Sequence, residues 1–409
     1  MREVKRCSAG FVLEDAVGAL AAIEAEGISL DDVLDSRLAH PELRRTVSSL
    51  LFQYYRRKRF IDGWIVRLAP RPPRPPRPLL RRVLAVALTQ LRFQTGIAPQ
   101  SAANIAVDFV KAGGRYPESR FVNAVLRNAP GAMPELSDEP VEVLPPALFR
   151  RWSARFRPEE LEMLTEAFLT PAGFTFRAER DFVPGELASA GIPAYGGFRF
   201  YFSDDPGRVL GSEALRRGNI YIQDPAASLA PSLPDFSGVR RILDLCAAPG
   251  GKSLMLAEQM EAGATLVAAD RSERRQRLTA DNFRRRGLNF PVLTAEPHEV
   301  EGVYDLVLAD VPCSNTGVFR RRPDALWRFN SSELARILRL QEEILNAAAR
   351  RVAPGGQLVY STCSIELEEN GLQVERFLSG HPEFRKVSSR QILPSVEADG
   401  AYACLLRRA

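Results

Sequence analysis

Leu243-Asp244-Leu245-Cys246-Ala247-Ala248-Pro249-Gly250-Gly251-Lys252-Ser253 is the stretch that decides how this chain is read. The apolar run Arg241-Ile242-Leu243-Asp244-Leu245 has the length of a buried strand, and a turn of small residues leads from it into a helical pattern from Lys252 to Met260. Small residues there let the backbone approach a ligand while the helix opens toward it. Working outward, Thr265-Leu266-Val267-Ala268-Ala269 reads as a second strand, followed by a helix through Asn282. Tyr304-Asp305-Leu306-Val307-Leu308-Ala309 and Gln357-Leu358-Val359-Tyr360 continue the series, with a long helix from about Ser332 to Arg351 between them. This alternation predicts a parallel sheet with helices on both faces and ligands beyond the carboxyl ends of its strands.

A nucleotide-type cofactor is expected at the first turn. Asp270 closes the next strand, about twenty residues on, where an acidic side chain commonly accepts hydrogen bonds from ribose hydroxyls. The nicotinamide fingerprint Gly-x-Gly-x-x-Gly is absent. Gly251-Lys252-Ser253 suggests a phosphate-binding loop, but that motif requires a glycine where Cys246 stands, so an NTPase is disfavoured. A glycine-rich turn without a ligand is the plain structural alternative. Further on, Asp310-Val311-Pro312-Cys313-Ser314 and Ser361-Thr362-Cys363-Ser364 place two cysteines at carboxyl ends of strands. One isolated cysteine reads as an inert buried thiol. Two of them at the crevice, beside a cofactor loop, point to thiolate chemistry.

The remainder of the chain divides by composition. From Phe11 to about Ala129 apolar residues recur at helical spacing, interrupted by Ala69-Pro70-Arg71-Pro72-Pro73-Arg74-Pro75-Pro76-Arg77-Pro78, a stiff loop between two helices. Residues 130–145 have a linker composition, and a mixed region follows to about Asp235, with a helix around Pro158–Phe168 and strands near Gly173–Ala178 and Phe198–Phe202. The domains expected are thus 1–130, 145–235 and 236–409.

Over 409 residues, 45% hydrophobic and 26% charged side chains exclude a disordered or fibrous chain. No window is apolar enough for a membrane span, and the first residues lack a secretory signal, so a cytoplasmic protein is expected. Cys7, Cys246, Cys313, Cys363 and Cys404 are odd in number and scattered, which argues against a disulfide framework. His40, His298 and His381 have no ligand spacing, and no metal is expected. The net charge is only +5, yet Arg56-Arg57-Lys58-Arg59, Arg274-Arg275, Arg284-Arg285-Arg286 and Arg320-Arg321-Arg322 are basic clusters that fit a polyanion. Any one of them could equally be a solvated face. The run at 320–322 follows closely on Cys313 and is expected to overhang the pocket. Trp152 and Trp327 are read as core residues.

Asp-Leu-Cys-Ala-Ala-Pro-Gly-Gly-Lys, Asp-Val-Pro-Cys-Ser and Ser-Thr-Cys-Ser, in this order, resemble motifs of the RNA cytosine-5 methyltransferases. The likeness extends through Gly218–Ser228, Thr316–Asp324 and Glu368-Glu369-Asn370. Ala98–Asn104 and Phe121–Arg127 resemble the NusB-like RNA-binding domain, a fusion typical of the Sun/RsmB type, which methylates small-subunit (16S) ribosomal RNA. The fold implied is an all-α NusB-like domain, a small α+β connecting domain and a C-terminal α/β Rossmann-like methyltransferase domain. Two positions depart from the family pattern. Val311 replaces an alanine, and Glu296 stands where an aspartate commonly borders the adenine.

The resemblance implies S-adenosylmethionine as cofactor, held by Cys246, Ala247, Ala248, Pro249, Gly250, Gly251 and Lys252 with Asp270, Glu296 and Asp310. It also implies that Cys363 attacks the base, that Cys313 assists its release, and that Asp310 hydrogen-bonds the cytosine edge. Lys252 and the arginines near residue 320 are candidate sources of positive charge for the thiolate, and Asp244 orients the cofactor loop. The expected partner is RNA, unpaired or flipped at the target base, and a monomer is expected. The alternatives are the same chemistry on tRNA or another RNA, and a non-catalytic RNA-binding, assembly or antitermination factor.

Overall fold

A computed structural model describes residues 2–69, 76–94, 96–133 and 135–409. It divides into two compact units, one comprising the chain up to Thr170 with Phe319–Arg328, the other Pro171–Val318 with Phe329–Ala409. Among the described residues no helix is long and apolar enough to cross a membrane.

The first unit contains α1 (Arg2–Glu26), α2 (Leu30–Ser36), α3 (Arg44–Arg56), α4 (Lys58–Leu68), α5 (Pro78–Phe93), α6 (Pro99–Ala112), α7 (Tyr116–Ala132), α8 (Pro140–Val143), α9 (Pro146–Ser153) and α10 (Pro158–Leu169). Val47, Leu50, Leu51, Tyr54 and Tyr55 of α3 are buried at the spacing of one helical face. In α5 the run Val83–Gln90 is buried all round, and α1, α3, α4, α6 and α7 pack against it. It is therefore the central helix of the bundle. The Pro/Arg loop connects α4 to α5, and its residues 70–75, with Arg71 and Arg74, lie outside the described residues. Composition grouped α9 and α10 with the connecting region, whereas the structure packs them into the helical unit.

The second unit opens with a four-stranded antiparallel sheet of β1 (Phe174–Ala178), β2 (Ala190–Ile192), β3 (Arg199–Ser203) and β4 (Ile220–Ile222), in the order β2-β3-β1-β4. Short helices α11 (Pro206–Leu210) and α12 (Glu213–Arg216) join β3 to β4. A seven-stranded sheet follows, built from β5 (Arg241–Asp244), β6 (Thr265–Asp270), β7 (Val292–Thr294), β8 (Tyr304–Asp310), β9 (Val352–Thr362), β10 (Phe384–Ile392) and β11 (Ala401–Arg408). Its helices are α13 (Gly251–Ala257), α14 (Glu273–Arg285), α16 (Ser331–Ala349) and α17 (Gly371–Gly380), while α15 (Ala325–Arg328) belongs to the helical unit. The strand order is β10-β11-β9-β8-β5-β6-β7.

The four strands read from the sequence are parallel, but the expectation of a wholly parallel sheet needs correcting. β11 runs antiparallel to both β9 and β10, so a C-terminal hairpin closes one edge. The central strands are covered on both sides, as parallel sheets require. Leu243, Val307 and Leu358 pack with Ile344, Leu345 and Phe377 on one face. Ile242, Leu306, Leu308 and Val359 pack with Leu254, Leu256 and Phe283 on the other. The chain leaves β5 toward β6 and β7, then returns to lay β8 on the other side of β5. The switch point, where such sheets bind ligands, therefore falls between β5 and β8.

Candidate active site

Asp244, the last residue of β5, is fully buried, and its Oδ2 accepts a hydrogen bond from Ser253 Oγ at 2.6 Å. Its Oδ1 has no hydrogen-bond partner among the described residues. Burial pushes the carboxyl up to about 7, against the Ser253 hydrogen bond and with the help of the neighbouring Asp310 charge. The loop beyond it is pinned by backbone bonds from Leu245 to Leu308 and from Ala247 to Ala269, both 2.9 Å. Asn282 Nδ2 holds the Pro249 carbonyl at 2.9 Å, and Arg275 donates to that of Ala248.

The loop glycines also make room for protein. Gly250 is left-handed (φ +96°), and a Cβ there would meet Thr279 of α14 at 3.0 Å. One on Gly251 would lie 2.8 Å from Gln223 Nε2 and 2.9 Å from Tyr221 Cε1. Glycine is therefore required for the turn to seat between α14 and the segment after β4.

Asp270 closes β6 and is 6% exposed. Its carboxylate accepts the N–H groups of Ala248 (3.2 Å) and Ser272 (2.9 Å), tying the cofactor loop to the next strand end. Glu296 lies two residues beyond β7, exposed, with its N–H donating to Glu299 Oε2 at 2.9 Å. It lines a cavity of about 350 Å³ together with His298, Leu340, Glu343 and Arg350, and no residue of the 246–252 loop lines that cavity.

Lys252, Asp310, Cys313 and Cys363 come together. Lys252 Nζ donates to Asp310 Oδ2 at 2.6 Å, and Ser361 Oγ to Asp310 Oδ1 at 2.6 Å. Burial works to lower the Lys252 ammonium, but the charge and hydrogen bond of Asp310, with the charges of Cys363 and Asp244, hold it above the ordinary lysine value. The two sulfurs lie 3.1 Å apart, and Cys363 Sγ is 3.3 Å from Asn315 Oδ1. The hydrogen bond to Cys363, then burial, then the charges of Cys363 and Glu369 push the Cys313 thiol well above the usual thiol range.

Several residues to which the sequence assigned no role complete the site. Asn315 turns the loop in the left-handed region (φ 61°), which asparagine tolerates. Gly317 N–H donates to the Cys363 carbonyl at 2.9 Å, and a Cβ on Gly317 would fall 2.5 Å from that oxygen. Asn370 accepts from Thr362 Oγ1 at 2.6 Å and donates to the Ser364 carbonyl at 2.9 Å. Glu369 and Asn370 stood within a recognised motif but carried no assigned role.

Of the basic clusters, Arg274, Arg275, Arg284 and Arg285 are exposed, while others make contacts inside the fold. Arg320 is 2% exposed within the helical unit, where Arg56 Nη2 donates to its carbonyl and Arg322 pairs with Asp31 at 3.0 Å. Arg320 and Arg322 therefore make these contacts within the helical unit. Arg57 pairs with Asp138, Lys58 with Asp62, and Arg59 binds the Val141 carbonyl. Arg286 pairs with Glu179 and Glu258. These side chains serve the fold. Trp152 is fully buried, and Trp327 donates to the Tyr55 carbonyl at 2.8 Å. Among the described residues no group of His, Cys, Asp and Glu is arranged to hold a metal ion.

Residues 229–401 match the family model for 16S rRNA methyltransferase RsmB/F, and residues 13–130 match that of the NusB family. The chain is 31% identical to the probable ribosomal RNA small subunit methyltransferase B of Synechocystis over 88% of its own length and 86% of the relative's. It is 30% identical to the ribosomal RNA small subunit methyltransferase B of Klebsiella pneumoniae over 96% and 97%. The crystal structure of PH0851 superposes with a TM-score of 0.78 at 24% identity, covering 98% of both chains, so it shares the fold. Matched over most of its length, with a NusB-family region preceding the two-cysteine site, the chain belongs to the RsmB/F family of 16S rRNA methyltransferases.

Proposed function

We propose that this protein transfers a methyl group from S-adenosylmethionine to carbon 5 of a cytosine in small-subunit ribosomal RNA through a covalent bond to Cys363. The observation that carries this reading is the pair of sulfurs 3.1 Å apart, beside the Lys252–Asp310 ion pair, at the ends of adjacent strands. The names of the relatives support the RNA class.

Carbon 5 of cytosine is a weak nucleophile, and covalent catalysis removes that difficulty. The Cys363 thiolate bonds to carbon 6, and the displaced electron pair makes carbon 5 nucleophilic. Asp310 accepts a hydrogen bond from the cytosine edge, and Lys252 supplies positive charge beside the thiolate. When bound, S-adenosylmethionine supplies a methyl group on a sulfonium sulfur. Carbon 5 then gives its proton to a base, and the carbon 6–sulfur bond breaks to return the thiolate. Cys313, its sulfur 3.1 Å from that of Cys363, gives its own proton to water and as the thiolate takes the carbon 5 proton, and Cys313→Ala is expected to stall the enzyme as a protein–RNA adduct.

The residues present fit the cofactor. Asp244, Asp270 and Asp310 are near enough for their charges to interact, an acidic set suited to a sulfonium and an α-ammonium, and Asp244 Oδ1 is a buried acceptor without a partner among the described residues. Asp270 would hold ribose hydroxyls. Ionised Asp244 favours the cationic cofactor, so affinity is expected to rise by up to about tenfold per pH unit below about pH 7 and level off above it. Titration calorimetry across that range checks this, with Asp244→Asn giving a flat profile. The same raised carboxyl stabilises the apo fold fully below its unfolded value near 4 and loses that contribution as pH rises to about 7.

The deciding experiment is transfer of labelled methyl from S-adenosylmethionine to unmodified small-subunit ribosomal RNA, with bisulfite sequencing of the product. A single modified cytosine is the expected result. Transfer to tRNA alone would overturn the substrate, and transfer to no RNA would leave an RNA-binding scaffold.

A further inference from the structure

Glu369 lies behind both cysteine loops, and beyond the push its charge gives the Cys313 thiol it has no role in the steps above. It is fully buried in the turn Leu367–Glu369, and among the described residues its partners are all neutral. Oε1 accepts the Ser314 N–H at 2.8 Å and Gln341 Nε2 at 3.0 Å. Oε2 accepts the hydroxyls of Ser314 and, at 2.5 Å, Ser364. Gln341 Nε2 also reaches the Pro312 carbonyl at 2.9 Å. Both chain neighbours of Cys313 are therefore anchored through this one carboxylate and its glutamine. A buried charge without a counterion is costly, and four donors on it offset that cost.

The two loops depend on it unequally. The Cys363 loop receives one bond from Glu369, and it is independently held by Gly317 N–H on the Cys363 carbonyl at 2.9 Å and by Asn370 Nδ2 on the Ser364 carbonyl at 2.9 Å. The Cys313 side takes two of the four bonds directly and a third through Gln341. Asn315 Nδ2 on the Cys313 carbonyl at 3.1 Å and the Gly317 bond also tie the Cys313 loop, so loss of Glu369 loosens the Cys313 side, which loses three bonds, more than the Cys363 side, which loses one.

We propose that Glu369 is a positioning residue for the release step: it clamps the Cys313 loop against the Cys363 loop, keeping the second sulfur within reach once the first is bonded to the base. This rests on the covalent reading proposed above. Glutamine can keep every bond, because its Oε1 accepts from the Ser314 N–H while its amide donates to hydroxyls free to rotate. Alanine keeps none.

The test uses the full-length chain with S-adenosylmethionine and small-subunit ribosomal RNA, reading multiple-turnover methylation and the band shifted on a denaturing gel. Glu369→Ala is expected to lose roughly a hundredfold in turnover and to accumulate the shifted band, as Cys313→Ala does. Glu369→Gln is expected to recover most of the turnover and show no band. Wild-type turnover in Glu369→Ala overturns the proposal, as does lost turnover without a band when Cys313→Ala gives one. A Glu369→Gln variant as impaired as Glu369→Ala also overturns it, since charge rather than placement would then matter. If Cys313→Ala itself yields no adduct, the covalent reading falls and takes this role with it. Should Glu369→Ala fail to fold, Ser314→Ala removes one bond on the Cys313 side and is expected to give the band more weakly; no band overturns the role.

Discussion

Replacing Cys363 with alanine is expected to abolish methyl transfer, a loss on the order of 10⁴-fold or more, because no other group can form the bond to carbon 6. The sulfur's hydrogen-bond contacts are Cys313 Sγ at 3.1 Å and Asn315 Oδ1 at 3.3 Å, and neither holds the cofactor loop. Cofactor affinity is therefore expected to stay near the wild-type value, and thermal stability to change by less than about 1 kcal/mol. Labelled-methyl transfer and titration calorimetry on one preparation separate the two. The Cys363→Ala/Cys313→Ala double variant sharpens the assignment. If Cys363 forms the bond, the adduct accumulated by Cys313→Ala disappears in the double variant. Appreciable methylation by Cys363→Ala would refute the assignment, and an adduct persisting in the double variant would move the nucleophile elsewhere.

Much of the catalytic unit was legible because its strands are short, buried on both faces and separated by helices, a pattern written in local sequence. The hairpin of β10 and β11 was not. β10 reads Phe-Arg-Lys-Val-Ser-Ser-Arg-Gln-Ile and is largely exposed, so it carries charge where a central strand would carry apolar residues. Charged edge strands discourage pairing with other chains, and the same charge hides them from a search for hydrophobic runs. The packing of the run at 320–322 was hidden for another reason: Phe319 packs against Trp152 and Phe168, partners distant in sequence, and the arginines that follow belong to the helical unit. Strand ends located Cys313, Cys363, Asp310 and Lys252 because their chemistry is local to one motif each. Glu369 gathers donors from positions 28 and 55 residues away, and its function exists only after the chain has folded.

Lys252 and Asp310 should respond to pH in opposite senses when each is altered. Lys252→Ala removes the positive charge beside Cys363, which makes the thiolate harder to form. Turnover is then expected to fall by about 10²- to 10³-fold at neutral pH and to recover in part as pH rises. Asp310→Asn leaves the ammonium in place but takes away the charge that outweighs its burial. Unpaired in a partly buried position, the lysine gives up its proton at lower pH than in the wild type, so this variant's defect is expected to deepen as pH rises. Asparagine can still accept from Lys252 or Ser361, so the loop geometry set by the two 2.6 Å bonds largely persists and the change is mainly one of charge. The pair acts as a unit, and the double variant is expected to lose much less than the product of the two single losses. The measurement is kcat against pH for the wild type and the three variants, on one RNA with saturating cofactor. Profiles that shift in the same direction, or single losses that simply multiply, would show that the two side chains act separately and that Lys252 is not the charge that readies Cys363.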